Sequence, residues 1–250
     1  MPKLTLLGTS NAVPNERHEN THMVLAGRNR TILIDTASNP LPRLQAAGIP
    51  VEQVTDVILT HFHPDHVSGF PLMLMNMWLM GRKAPMTVHG LAYTVDRAKA
   101  MMDLYGWTEW PGFFQVRFQI LPLEDQVLLL EEDDLRILCS PVKHFIPGIG
   151  LRFEFDGSGK VLAYSSDTEP CPQVVELARN ADVLIHEASG PLPGHTSASQ
   201  AARIASQAGA RELVLIHYPS DATPEQSQLE ASREFSGPIR LAEDFQELVF

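Results

Sequence analysis

Thr60-His61-Phe62-His63-Pro64-Asp65-His66 decides how this chain is read. It sets four potential metal ligands in six positions, directly after the apolar run Val57–Leu59, which predicts a buried strand. Imidazole and carboxylate together are the ligand set of zinc and its neighbours. Alternation places His61 and His63 on one side of the loop, while Asp65 and His66 come round the next turn. Such a loop can serve two ions at once, but it cannot close two sites alone. Further ligands must come from elsewhere in the chain.

Three candidates stand just past the ends of predicted strands, where side chains converge on the rim of a sheet. His144 ends Pro141-Val142-Lys143-His144, Asp167 follows Val161–Tyr164, and His217 follows Leu213–Ile216. A lone histidine at such a position is usually structural. Three such positions together with the dense loop point to a metal centre.

The loop His61-x-His63-x-Asp65-His66 resembles that of the metallo-β-lactamase superfamily, and matching motifs run from Asp35 to His217. The resemblance implies an α/β fold, an αββα sandwich of two mixed sheets with outer helices and a dinuclear site at one edge. It places His61, His63 and His144 on a first metal, Asp65, His66 and His217 on a second, and Asp167 between them. Asp35, after the strand Thr31–Ile34, matches an aspartate that supports the histidine loop from outside. The ions implied are Zn²⁺ first and Mn²⁺ second.

The C-terminal half resembles the ribonuclease Z branch of that superfamily. Ile185-His186-Glu187-Ala188-Ser189 is similar to its His-Glu-Ala-Thr element, with Ser189 in place of threonine, and Gly194-His195-Thr196-Ser197 is similar to its His-Ser-Thr loop. By that match Glu187 and His195 form an acid/base pair and, with Asp65, the catalytic set. The residues alone agree, since a histidine oriented by a carboxylate can protonate a leaving alkoxide. Thr196 or Ser197 can instead cap a helix over Ser199–Gln207. His18, His22, His89 and His186 read as structural. The branch carries a long glycine-proline-rich arm, used to grip transfer RNA, between the positions of His144 and Asp167. Here those positions are only 23 apart, filled by two predicted strands and the hairpin turn Asp156-Gly157-Ser158-Gly159.

Composition bounds the rest. The 250 residues are 44% hydrophobic and 20% charged, which excludes a disordered chain, a fibrous repeat and a coiled coil. The formal net charge of −11, with cations scattered, argues against a protein that holds nucleic acid by its general field. Cys139 and Cys171 lack Cys-x-x-Cys spacing and predict buried free thiols. No run approaches the length of a membrane helix, and Met1–Gly8 reads as a first strand rather than a signal peptide, so a cytoplasmic protein is expected. Strands and helices alternate to both ends, which predicts one domain over 1–250.

Two segments depart from the average. Leu72–Met80 is apolar almost all round and predicts either an internal helix or a wall facing a substrate or a second subunit in a homodimer. Tyr105–Phe114 holds five of the 18 aromatics and predicts either a satellite cluster or an aromatic lid.

The chemistry expected is hydrolysis by a water bridging two ions, which acquires hydroxide character at neutral pH. The leading expectation is a phosphodiesterase acting on small or cyclic phosphodiesters. The alternatives are an arylsulfatase-like or carboxylic-ester hydrolase, a ribonuclease Z-type tRNA 3′-processing endonuclease, or a zinc-binding module. The last conflicts with a ligand set larger than the four that close a structural zinc.

Overall fold

A computed structural model describes residues 1–219 and 221–250. One seven-stranded sheet runs in the order β14 (Glu247–Val249), β1 (Lys3–Gly8), β2 (His22–Ala26), β3 (Thr31–Ile34), β4 (Asp56–Ile58), β5 (Met86–Leu91) and β6 (Val116–Leu121). Its strands are antiparallel from β14 to β3 and parallel from β3 to β6. The other sheet, also of seven strands, has β13 (Ile239–Leu241), β12 (Leu213–Ile216), β11 (Val183–Glu187), β10 (Lys160–Tyr164), β9 (Ile149–Phe155), β8 (Leu135–Pro141) and β7 (Val127–Glu132). Here β10 to β13 are parallel and β7 to β10 antiparallel.

Strand alternation builds the layers. In β2, β3 and β4 the side chains of Met23, Leu25, Ile32, Ile34 and Ile58 join a core shared with Ile137, Leu151, Phe153 and Tyr164 of the facing sheet. The intervening Val24, Leu33 and Val57 point the other way. There they meet α1 (Pro40–Ala46), α2 (Pro64–Val67), α3 (Phe70–Leu79) and α4 (Ala92–Asp103) through Leu44, Val67, Phe70, Met73, Leu74, Met77, Ala98 and Met102. The second sheet's outer face is covered by α5 (Pro172–Leu177) and α6 (Ala198–Ala208), through Val174, Ala201, Ala202 and Ala205. The result is the expected αββα sandwich.

Local signals explain the element ends. Ser197 caps α6 in a reciprocal capping box with Gln200, and Gly209 ends it at φ +67°. Asp156–Gly159 closes the antiparallel β9–β10 pair, so a tight hairpin occupies the interval between His144 and Asp167. Five helices and strands escape the sequence patterns, one of them the single turn α2 inside the histidine loop. In β5, His89 and Gly90 dilute the apolar run; β13 and β14 are three residues each; and α7 (Pro224–Ala231) has no apolar stripe.

The two segments that stand out in the sequence resolve differently. Helix α3 buries Phe70, Met73, Leu74 and Met77 but leaves Leu72 and Leu79 exposed, as is Met80 just past its end, so it is half covered rather than internal. The aromatics form a satellite cluster on the core beneath α3. Trp110 stacks on Trp78 at 5.1 Å, Trp107 and Phe113 meet edge to face, and Trp78 Nε1 donates to the Pro111 carbonyl at 3.0 Å. Only Tyr105 of this group stands mostly in solvent. Cys139 and Cys171 are buried free thiols, and burial pushes the Cys139 thiol up to about 12. Among the described residues no helix is long and apolar enough to cross a membrane.

Candidate metal centre

The parallel strands of both sheets deliver their C-terminal ends to one edge. Backbone bonds stitch the sheets together there: Ile149 N donates to Thr60 O at 3.1 Å, and His217 N to Thr9 O at 2.8 Å. Three residues at these strand ends, Asp35, Ser166 and His217, hold left-handed backbone at φ 60°, 55° and 52°. Left-handed backbone is costly for residues other than glycine, and it turns consecutive side chains sharply toward one point.

All the sequence-predicted ligands meet at that edge. Nitrogens of His61, His63 and His144 lie within 4.8 Å of one another, as do the ligand atoms of Asp65, His66 and His217. Asp167 Oδ2 stands between the two groups, 3.9 Å from His61 Nε2 and 3.5 Å from the Nε2 atoms of both His66 and His217. His63 offers Nδ1, which lies 3.1 Å from His61 Nε2 and 3.0 Å from His144 Nε2.

The opposite ring nitrogens are held from outside, and this fixes the tautomers. Asp35 is fully buried and accepts from Thr60 N, Thr60 Oγ1 and His66 Nδ1, each at 2.8 Å. Because the Thr60 hydroxyl donates to Asp35, its oxygen accepts from His61 Nδ1 at 3.1 Å. His144 Nδ1 donates to the Gly194 carbonyl at 2.7 Å. The Ser189 hydroxyl donates to the His217 carbonyl and accepts from His217 Nδ1 at 2.8 Å. In all four rings Nδ1 carries a proton and Nε2 is the nitrogen that faces the centre.

Those converging nitrogens and carboxylate oxygens fit a cation. His66 Nε2 and Asp167 Oδ1 are buried without a hydrogen-bond partner, and a buried polar atom in that state is costly unless a bound ion engages it. Burial alone would raise the Asp167 carboxyl, yet His217 and His66 hold it well below the usual carboxylate range. Burial pushes His61 well below the usual imidazole range, and His144 falls for the same reason. His66 goes the other way: burial works to lower it, but Asp167 and Asp35 hold it well above that range, so a bound ion would have to displace a proton from its Nε2. Neutral imidazoles and ionised carboxylates are the forms that bind metal.

Beside this cluster, His195 Nδ1 lies 3.0 Å from Glu187 Oε1. Glu187 is fully buried, and backbone N–H groups of Thr168 and Ser189, both at 3.0 Å, fix its carboxylate. The hydrogen bond to Glu187 raises the His195 imidazole above its ordinary value, against an opposing effect of partial burial. The His195 ring stacks on His217 at 6.0 Å and meets His144 edge-on at 5.1 Å. The capping signal belongs to Ser197, whereas Thr196 Oγ1 donates to Thr168 O at 2.5 Å and ties this loop to the Asp167 segment.

The structural histidines sit apart in role. His22 and His186 are buried against backbone carbonyls, with burial holding His22 down at about 4, and His89 pairs with Asp56 at 2.9 Å. Sequence reasoning misses Thr60, Glu169 and the part that Ser189 plays. Glu169 Oε1 accepts from Gly194 N at 3.0 Å while Oε2 pairs with Lys143 Nζ at 2.6 Å, so an ion pair steadies the backbone that orients both His144 and His195. No spacing rule announces such contacts.

Comparison with known proteins agrees with this architecture. Ribonuclease Z of Methanothermobacter thermautotrophicus is 27% identical over 299 aligned residues, covering 98% of this chain and 95% of the relative. That alignment is longer than the 250 residues here, so the relative carries residues that this chain lacks. Two solved structures superpose over nearly the whole chain. The metallo-β-lactamase fold protein YhfI from Bacillus subtilis gives a TM-score of 0.81 at 22% identity, covering 99% of this chain and 98% of its own. A diphosphatase of the PhnP family gives 0.78 at 20%, covering 100% and 98%. The profile of the Beta-lactamase superfamily domain matches residues 30–218, the span that holds Asp35 and every candidate ligand. The chain therefore belongs to the β-lactamase superfamily, as a metal-dependent hydrolase of the metallo-β-lactamase fold.

Proposed function

We propose that this hydrolase is a phosphodiesterase for small or cyclic phosphodiesters, working with two divalent ions, Zn²⁺ or secondarily Mn²⁺. The observation that carries the reading is the His195–Glu187 pair at 3.0 Å, which belongs to neither the His61–His63–His144 nor the Asp65–His66–His217 group, although His195 comes within 4.8 Å of ligand atoms of His144 and Asp167. His61, His63 and His144 would hold one ion, Asp65, His66 and His217 the other, and Asp167 both. When bound, such a pair of ions supplies a water nucleophile active at neutral pH and offsets charge growing on the phosphoryl oxygens.

The chain's own residues supply the proton traffic. His195 donates through Nδ1 to Glu187, so Nε2 is the atom that gives a proton to the departing oxygen. The hydrogen bond to Glu187 raises its pKa and so favours the protonated form that makes this donation. Asp65 is more exposed than Asp167, with 15% against 3% of its side chain in solvent. It therefore faces the incoming water and orients it.

The short hairpin between His144 and Asp167 and the net charge of −11 favour small substrates. A second reading, ribonuclease Z-type tRNA 3′ processing, is favoured by the name of the relative above. After reconstitution with zinc or manganese, turnover is compared on bis(p-nitrophenyl) phosphate, p-nitrophenyl sulfate, p-nitrophenyl acetate and a transfer-RNA precursor. The phosphodiester should have the highest kcat/KM. A higher value for the sulfate or the acetate, or cleavage of the precursor at a comparable rate, rejects the reading.

A further inference from the structure

One exposed side chain at the mouth of the centre has no part in the chemistry above. Phe145 follows His144 and is 64% exposed, yet one side of its ring is closely packed. Its ring lies 5.2 Å from the His144 ring and meets His195 edge-on at 6.2 Å. On its inner side it packs over Gly194, where a Cβ would fall 2.7 Å from the ring and where φ is +75°. Glycine alone lets the loop run this close beneath the ring. Leu192, whose carbonyl accepts from His195 N at 3.0 Å, adds a second apolar group at 60% exposure. A single exposed apolar residue needs no explanation. An aromatic ring clamped between a candidate ligand, a glycine and the proposed acid is a different matter.

We propose that Phe145 determines specificity by stacking on an aromatic leaving group of the substrate. This rests on the phosphodiesterase reading, because it is His195 Nε2 that defines the side on which the leaving oxygen departs. The carbon skeleton attached to that oxygen must then lie beside His195, where the free face of Phe145 offers a flat apolar surface. A π-face accepts an aryl ring or a nucleobase but gains less from a puckered aliphatic ring of the same size.

The test uses methylphosphonate monoesters as ligands of the zinc-loaded protein, read by titration calorimetry. Phenyl and cyclohexyl esters are compared, with the thymidine 5′ ester separating a bare aryl ring from a base carried on a sugar. The native chain should bind the phenyl or the thymidine ester on the order of tenfold more tightly than the cyclohexyl ester. Phe145→Ala should remove that preference with metal content unchanged, Phe145→Leu should behave like Ala, and Phe145→Tyr should keep it. Equal affinity of the native chain for all three esters, or equal weakening of all three in Phe145→Ala, overturns the inference while sparing the phosphodiesterase reading. Failure of any phosphonate to bind rejects both.

Discussion

Asp35→Asn separates the supporting network from the ligands it serves. Asparagine tolerates the left-handed backbone of position 35 (φ 60°), so the change acts through hydrogen atoms and not through strain. Its carbonyl oxygen can still accept from Thr60 N, but its amide nitrogen now faces the Thr60 hydroxyl and His66 Nδ1 as a donor. His66 must then carry its proton on Nε2, the atom that points at Asp65 and Asp167. The Thr60 hydroxyl, no longer able to donate to residue 35, turns to His61 Nδ1 and moves that ring's proton to Nε2 as well. Loss of such an outer partner costs roughly 10- to 100-fold in metal affinity. Both sites should weaken by about that factor, the His66 site more because its partner is touched directly. The two charge-assisted bonds lost are worth roughly 1.5–3 kcal/mol each, so the metal-free variant should also be less stable by about 3 kcal/mol or more. Competition with a chromophoric chelator measures the affinities, and nitrogen-15 shifts of the imidazoles report the tautomers. Native affinity at both sites in Asp35→Asn would refute the tautomer argument.

Three further outcomes follow from the same geometry. Asp167→Ala should lose both ions more completely than any single histidine variant, because Asp167 lies between the two groups; elemental analysis finding two full sites in it rejects the bridge. His195→Ala should keep both ions yet slow turnover roughly 10²- to 10⁴-fold for a poor alkoxide leaving group, and far less for nitrophenolate; Glu187→Gln should show a weaker form of this pattern. Loss of metal in His195→Ala would instead make His195 a ligand. Asp56 reports on the fold away from the site. Burial works to raise its carboxyl, but hydrogen bonds from His89 and Thr55 and the Arg30 charge outweigh it and hold the group below its usual range. A carboxyl depressed in the native state stabilises above its unfolded pKa, near 4, and that stability is lost as pH falls through the native value. The stability gap between the native chain and Asp56→Asn, from urea unfolding, should therefore be open at pH 6 and shrink toward pH 3; a gap independent of pH contradicts this.

Much of the site was legible because it lies at strand ends. His61, His144, Asp167 and His217 each follow an apolar run, and such runs bring distant residues to one edge without any need to know how the strands are ordered. What stayed hidden depends on contacts between loops. The Thr60 hydroxyl matters only because Asp35 stands 2.8 Å away, and Glu169 only because Gly194 presents its N–H across the gap. The same limit explains Leu72–Met80: its nearly unbroken apolar run predicts a helix, but how much of it is covered depends on where the aromatic cluster packs. Strand β5 was lost for the opposite reason. Its polar His89 is satisfied by Asp56 on the neighbouring strand, a pairing invisible in the local pattern.

The most direct measurement is anomalous diffraction at the zinc edge from crystals of the zinc-loaded protein. A dinuclear centre should give two peaks roughly 3.5–4 Å apart. One should be bound by His61 Nε2, His63 Nδ1 and His144 Nε2, the other by Asp65, His66 Nε2 and His217 Nε2, with Asp167 touching both and His195 bound to neither. A single peak closed by four protein ligands, or a peak on His195, would contradict it.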